Sequence, residues 1–174
     1  MTLVEETKAV EKAKRYYSWA EFDQAVNILS YAVGPLKPEY IVALARGGLP
    51  LAAALSHRLG LSSKSVFTMH ANAEFKAGER NALNLDQVLL DWQGVPAHVI
   101  KSKHCLLVDD IFDTGATCWA VLKQALPMAH PVCLVSKQGL PESHGRQVLY
   151  AHLHDPKEWI VFPWEGKRGD DGYH

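Results

Sequence analysis

Residues 106–117, LLVDDIFDTGAT, constrain this chain more than any other stretch of its sequence. The apolar start predicts a buried strand, and three acids, Asp109, Asp110 and Asp113, follow it at once. Because an unpaired carboxylate is costly to bury, these side chains must face a cleft, a cation or hydroxyl groups. We therefore expect a polar site at the end of this strand.

The residues after the acids suit a phosphate group. Residues 114–117, TGAT, supply two hydroxyls and a run of backbone N–H groups at the expected start of a helix. Carboxylates can bind the hydroxyls of a ribose, and backbone amides can bind a phosphate. Because the two kinds of group are adjacent in the sequence, they predict a site for a sugar phosphate. The plainer alternative makes Asp109 and Asp110 ordinary helix-start acids and Thr114 an N-cap, which explains only one or two of these residues.

Strand and helix patterns alternate along the chain. Ser18 and Glu21 form the capping-box pattern S-x-x-E before a helix that ends at Gly34. Further patterns predict helices over 50–59 and 115–126, and strands over 40–45, 65–70, 104–108 and 132–136. This alternation predicts an α/β fold with a mostly parallel twisted sheet and helices on both faces. In such sheets ligands bind beyond the carboxyl ends of the strands.

Length and composition indicate a single cytoplasmic domain. The 174 residues, 48% of them hydrophobic, suit one domain over 1–174 with one core. A formal net charge of −1 argues against nucleic acid or an anionic membrane as partner. Cys105, Cys118 and Cys133 form no CxxC pair, which favours free thiols in a reducing cytoplasm. We expect neither a signal peptide nor a membrane span, since the start is charged and no apolar run is long enough.

A second glycine-containing loop, Ala45-Arg46-Gly47-Gly48, follows the predicted strand over 40–45. Adjacent glycines let the backbone approach an anion, and an arginine can bind phosphate oxygens. On its own R-G-G is more often a plain turn. Its place one strand-helix unit before the acidic segment favours anion binding.

The segment 71–103 lacks clear periodicity and is too long for a simple connection. Loops of this length in compact domains are usually lids over a site or disordered. We expect a hood or flexible lid here. Lys76 and Arg80 either approach the site when this lid closes or belong to an ordinary charged surface.

The segment 106–117 resembles the phosphoribosyl pyrophosphate motif of the type I phosphoribosyltransferases. The resemblance implies that Asp109 and Asp110 bind the ribose hydroxyls of that donor, with or through Mg²⁺. In purine members of the family the acid at the position of Asp113 exchanges a proton with N7 of the base, so Asp113 is the expected catalytic residue. The residues implied to bind the 5′-phosphate are Asp113, Thr114, Gly115, Ala116 and Thr117.

The loop over 45–48 is similar to the pyrophosphate loop of the same family. The resemblance implies that Ala45, Arg46, Gly47 and Gly48 bind the leaving pyrophosphate. Family members often have a non-proline cis peptide at this point, which would join Ala45 to Arg46 here.

Residues 158–165, EWIVFPWE, resemble the W-I-x-x-P-W segment that lies over the base in xanthine-guanine phosphoribosyltransferases. The resemblance makes Trp159 the stacking residue and Ile160 the residue whose backbone carbonyl recognises the C2 substituent. Lys137 takes the place of a lysine that donates to O6 and selects 6-oxopurines over adenine. Without the resemblance, the commoner interpretations are an edge strand packed on the core and a solvated lysine.

The resemblance therefore implies a Mg²⁺-dependent enzyme of purine salvage, with a base-binding segment over 137–165. It would transfer 5-phosphoribosyl from phosphoribosyl pyrophosphate to guanine, xanthine or hypoxanthine. Two alternatives stay open: a regulatory protein that senses phosphoribosyl pyrophosphate, and a phosphoribosyltransferase for another base. We also expect a homo-oligomer, either a dimer or a tetramer.

Overall fold

The computed structural model describes residues 13–73, 88–92, 94–139, 142–143 and 146–165. Within these residues the chain forms β1 (Lys14–Tyr16), α1 (Trp19–Val33), β2 (Tyr40–Ala45), α2 (Gly48–Arg58), β3 (Val66–Ala73), β4 (Val88–Asp91), α3 (Ala97–Ile100), β5 (Cys105–Phe112), α4 (Ala116–Gln124), β6 (His130–Ser136), β7 (Glu142–Ser143), β8 (Arg146–Gln147), β9 (Leu149–Leu153) and β10 (Trp159–Val161).

Six strands form a central sheet in the order β4-β3-β2-β5-β6-β9. The neighbouring pairs from β3 to β9 are parallel, and β4 joins the edge of β3 antiparallel. Two small sheets lie outside it, β1 parallel to β10 and β7 antiparallel to β8. The parallel strands bring the carboxyl ends of β2, β5 and β6 to one edge, where ligands bind in folds of this class.

The central sheet is buried on both faces, because successive side chains of a strand point to opposite sides. Ile41 of β2 packs in one core with Leu29 of α1 and Leu51 of α2. The next residue, Val42, packs in the opposite core with Leu122 of α4. This confirms the predicted α/β fold with a mostly parallel sheet and helices on both faces.

The strand predicted over 104–108 extends further, to Phe112, so Asp109 and Asp110 lie within β5 rather than after it. β5 pairs with β2 only as far as Val108, whereas it pairs with β6 as far as Phe112. Asp109 and Asp110 therefore lie in the part of β5 that pairs with β6 but extends beyond its pairing with β2. A one-dimensional pattern cannot show this one-sided pairing, which is why the predicted strand was too short.

The helix α1 has the predicted capping box. The Glu21 N–H donates to Oγ of Ser18 at 3.2 Å, and the Ser18 N–H donates to Oε2 of Glu21 at 2.8 Å. The helix α2 starts at Gly48, slightly earlier than the predicted start at Pro50. Among the described residues, no helix is long and apolar enough to cross a membrane.

Part of the segment 71–103 is regular structure rather than loop. β3 continues to Ala73, and β4 pairs antiparallel with it from Val88 to Asp91. The short helix α3 follows. These elements are too short for their periodicity to stand out in the sequence. Residues 74–87 and 93, including Lys76 and Arg80, lie outside the described residues.

Candidate active site

Asp109 and Asp110 are neighbours in the last part of β5. The Asp110 N–H donates to Oδ1 of Asp109 at 3.0 Å. Burial, reinforced by the charge of Asp110, holds the pKa of Asp109 well above its ordinary value. Burial and the negative charge of Glu165 raise the pKa of Asp110 to about 6. Among the described residues neither acid forms an ion pair with a basic side chain. A bound cation would therefore stabilise this pair.

The loop over 45–48 packs tightly against the same strand. A Cβ at Gly47 would lie 2.2 Å from Oδ2 of Asp110. A Cβ at Gly48 would lie 2.2 Å from the carbonyl oxygen of Val108. Because contacts this short do not occur, only glycine fits at both positions without a shift of β5 or of the acid pair.

A cavity of about 640 Å³ lies between the loop and the acids. The peptide bond that joins Ala45 to Arg46 is cis, as predicted, and the Arg46 side chain is exposed. The volume of the cavity is typical of a small-molecule site, and its lining combines three carboxylates with one guanidinium group. The residues that line this cavity are Arg46, Gly47, Asp109, Asp110, Trp164 and Glu165.

Sequence reasoning did not single out Trp164 and Glu165 as cavity residues. Trp164 stacks on Phe162, with ring centroids 4.9 Å apart and planes 3° apart, and meets Phe22 edge-on at 5.6 Å. Oε2 of Glu165 accepts from the Phe162 N–H at 2.9 Å. The available signal was the second tryptophan of the 158–165 segment and the acid that follows it.

A second cavity, of about 200 Å³, lies at the N-terminus of α4. Gly115 precedes this helix with φ +82°, and a Cβ there would lie 2.3 Å from Cζ of Phe112. Oγ1 of Thr114 accepts from the Ala116 N–H at 3.3 Å. All five residues predicted to bind the 5′-phosphate line this cavity, together with others of the same turn: Asp109, Ile111, Phe112, Asp113, Thr114, Gly115, Ala116, Thr117 and Cys118.

Lys137 and Asp113 meet because they follow the adjacent strands β6 and β5. Nζ of Lys137 lies 3.7 Å from Oδ1 of Asp113, and the lysine side chain is 4% exposed whereas that of Asp113 is 52% exposed. The Lys137 N–H donates to the Phe112 carbonyl at 2.9 Å. Nε2 of Gln138 donates to the Asp113 carbonyl at 2.9 Å. A buried cation is thus held against an accessible carboxylate.

The predicted base-binding residues Trp159 and Ile160 lie on β10, outside the central sheet. Trp159 is 55% exposed and Ile160 is 6% exposed. Neither lines the two cavities described above; the aromatic ring that lines the larger one is Trp164. The stacking role of Trp159 and the recognition role of Ile160 stay predictions.

Comparison with known proteins agrees with the fold. Residues 12–164 match the family model described as a phosphoribosyl transferase domain. This protein therefore belongs to the phosphoribosyltransferase family, as the 106–117 motif predicted.

Solved structures of similar fold include purine enzymes of this family. A purine phosphoribosyltransferase from Pyrococcus horikoshii Ot3 is 27% identical, with a TM-score of 0.65 over 91% of this chain and 99% of that one. A xanthine-guanine-hypoxanthine phosphoribosyltransferase from Helicobacter pylori is 24% identical, with a TM-score of 0.64 over 87% and 93%. A hypothetical protein from Neisseria gonorrhoeae with bound ppGpp is 17% identical, with a TM-score of 0.67 over 94% and 95%. The last two likenesses show the fold alone.

Proposed function

We propose that this protein transfers the 5-phosphoribosyl group from phosphoribosyl pyrophosphate to a 6-oxopurine base, giving the nucleoside monophosphate and pyrophosphate. The observation that carries the proposal is the buried Lys137 ammonium group, 3.7 Å from the Asp113 carboxylate. A donor and a carboxylate side by side match the O6 acceptor and the N7 proton of guanine, xanthine or hypoxanthine. The similarity to a purine phosphoribosyltransferase supports this choice of base.

The donor would bind along the shared edge of β2 and β5. Its 5′-phosphate would lie on residues 113–117, where backbone N–H groups at the start of α4 favour an anion. Its ribose hydroxyls would bind Asp109 and Asp110. Its pyrophosphate would occupy the larger cavity, held by the backbone of 45–48 and by the Arg46 guanidinium group.

Asp109 and Asp110 fit a Mg²⁺ ion in addition to the ribose. Their carboxylates are adjacent and lack a basic partner among the described residues, and magnesium prefers oxygen ligands. The ion would supply positive charge for the pyrophosphate that leaves.

Base selection would depend on Lys137. Its ammonium group donates to O6 of a 6-oxopurine, whereas adenine presents an amino donor at that position and leaves two donors opposed. Burial of this side chain keeps water from competing for the same hydrogen bond. Trp159 would stack on the base, and the Ile160 carbonyl would recognise its C2 substituent.

In the transfer itself, the bond from C1′ to the pyrophosphate oxygen breaks as a bond from C1′ to N9 of the base forms. Positive charge develops on the ribose and negative charge on the pyrophosphate. The carboxylates of Asp109 and Asp110 offset the first, and Arg46 with the loop N–H groups offsets the second. Asp113 accepts the N7 proton that the base must lose.

The proposal includes the remaining sequence predictions. The protein would be a cytoplasmic homo-oligomer, with one domain and a hood over 71–103 that keeps water from the donor. Light scattering on the purified protein measures the oligomeric state directly.

Incubation of the full-length protein with phosphoribosyl pyrophosphate, Mg²⁺ and single bases tests the proposal. We expect nucleoside monophosphate and pyrophosphate with guanine, xanthine or hypoxanthine, and little product with adenine or uracil. The Asp109→Asn/Asp110→Asn double variant serves as the inactive control. Tight donor binding without product from any base would support a regulatory protein instead, and product only with another base would overturn the 6-oxopurine assignment.

A further inference from the structure

The strand that carries Trp159 and Ile160 pairs with the N-terminal strand β1 and not with a strand of the central sheet. Among the described residues, the strand partner of β10 is β1, with Arg15 opposite Ile160. The Trp159 N–H donates to the Ala13 carbonyl at 2.8 Å, and the Tyr17 N–H donates to the Val161 carbonyl at 2.9 Å. The position of β10 therefore depends on what anchors β1 as well as on the packing of Ile160 in the core.

Tyr17 provides that anchor. Its side chain is fully buried, and its ring packs on Phe162 with centroids 5.4 Å apart and planes 60° apart. Its hydroxyl lies 2.8 Å from Nδ1 of His152. His152 belongs to β9, which pairs with β6, with Val135 as its register partner. Tyr17 thus adds a specific polar link between the small β1–β10 sheet and the central sheet, beside the apolar packing of Ile160 and Phe162 in the core.

The residues after Tyr17 hold the anchor in place. Glu21 forms an ion pair with Arg15 of β1 and the capping box with Ser18, so the turn from β1 into α1 is fixed. Burial, with the charge of Glu21 as a second cause, raises the pKa of the Tyr17 hydroxyl above its ordinary value. The hydroxyl therefore keeps its proton at neutral pH and stays available as a donor.

We propose that Tyr17 is a positioning residue for base recognition: through Phe162 and the backbone of β1, its bond to His152 sets where β10 presents Trp159 and Ile160. This inference rests on the proposed function, since it assumes that β10 binds the base. It separates two tasks in the fold. The donor would bind on loops of the central sheet, whereas the base would depend on a two-stranded sheet that core packing and the hydrogen bond of Tyr17 with His152 tie to that sheet.

Tyr17→Phe tests this role, because it removes the hydroxyl and keeps the ring. We expect KM for the base to rise about threefold to tenfold while KM for phosphoribosyl pyrophosphate stays within about twofold, as for loss of one buried hydrogen bond. Tyr40→Phe is the matched control, since Tyr40 also packs on a histidine, His98 at 5.5 Å, but lies against the other core cluster from Ile160 of β10. In a His152→Leu background, Tyr17→Phe should cause no further rise in KM for the base. An equal rise in both KM values, or an unchanged KM for the base, overturns the proposal.

Hydrogen exchange separates this inference from the proposed function. The backbone amides of 159–161 should exchange faster in Tyr17→Phe than in the wild type or in Tyr40→Phe. Unchanged exchange there overturns the positioning role. If the wild type forms no nucleotide with any base, the proposed function fails, and the exchange result alone decides whether Tyr17 positions β10.

Discussion

Nζ of Lys137 lies 3.7 Å from Oδ1 of Asp113, and the pair joins the ends of β6 and β5. The lysine is buried, so its charge is directed at the carboxylate and at whatever binds beside it. A 6-oxopurine that accepts from the ammonium group at O6 and gives its N7 proton to the carboxylate would use both partners.

Lys137→Ala should reduce the preference for 6-oxopurines. We expect kcat/KM for guanine or hypoxanthine to fall about tenfold to a hundredfold, as for loss of a hydrogen bond to a charged group, while the low rate with adenine changes little. Steady-state kinetics with each base measure the ratio of kcat/KM for the 6-oxopurine to kcat/KM for adenine. Lys101→Ala, which removes an exposed lysine outside the site, is the control. An unchanged ratio would remove Lys137 from O6 recognition.

Asp113→Asn should slow turnover without loss of donor binding. The amide keeps the size of the side chain but cannot take a proton from N7, so we expect kcat to fall about a hundredfold or more. Calorimetric titration with phosphoribosyl pyrophosphate should give a Kd close to that of the wild type. Asp155→Asn, at an exposed acid in the turn before β10, should keep the full rate. A full-rate Asp113→Asn enzyme would contradict the proton-transfer role.

Gly47→Ala should impair donor binding more than folding. The added Cβ would lie 2.2 Å from Oδ2 of Asp110, so the carboxyl group must move from its place in the cavity. We expect KM for phosphoribosyl pyrophosphate to rise about tenfold or more, with a change of only a few degrees in Tm.

Gly34→Ala is the matched control for that variant, because nothing outside its chain neighbours lies within 4 Å of a Cβ at Gly34 and its φ is −49°. This variant should keep wild-type kinetics, although it should not gain stability, because an alanine before Pro35 disfavours the helical conformation of Gly34. Equal kinetics for the two glycine variants would show that the contact of Gly47 with Asp110 has no part in donor binding.

Asp110→Asn should stabilise the free protein above pH 6 and abolish its response to Mg²⁺. The pKa of Asp110 is raised from 3.8 to about 6 in the folded state, by burial first and by Glu165 second. A raised carboxyl pKa contributes stability that is fully present below pH 3.8 and is lost as the pH rises through 6. The asparagine does not titrate, so the Tm of the variant minus that of the wild type should grow from pH 5 to pH 7.5.

Thermal unfolding with and without MgCl₂ completes this test. Metal ligands must be ionised, so added Mg²⁺ should raise the Tm of the wild type more at pH 7.5 than at pH 5, and should leave the variant nearly unchanged. If the difference in Tm between the variant and the wild type, both without Mg²⁺, stayed constant from pH 5 to pH 7.5, the titration of Asp110 would be contradicted.

Local sequence patterns predicted most elements because they depend on neighbouring residues. The capping box at Ser18 and Glu21 determines where α1 begins, whatever packs on it. The apolar run 40–45 was long enough to identify β2. The lid segment shows the limit: β4 and the end of β3 are short, and their pairing partners come from distant parts of the chain.

By itself, the sequence determined the proposed donor side of the site. The acids and the TGAT turn are consecutive, so one strand, one turn and one helix start bring them together, and Gly115 with φ +82° occupies the turn that needs it. The tertiary structure decided the rest. Lys137 faces Asp113 because β6 and β5 end at one edge of the sheet, whereas Trp164 and Glu165 reach the cavity from the segment after β10, outside that sheet. Such distances depend on strand order and packing, which no local pattern encodes.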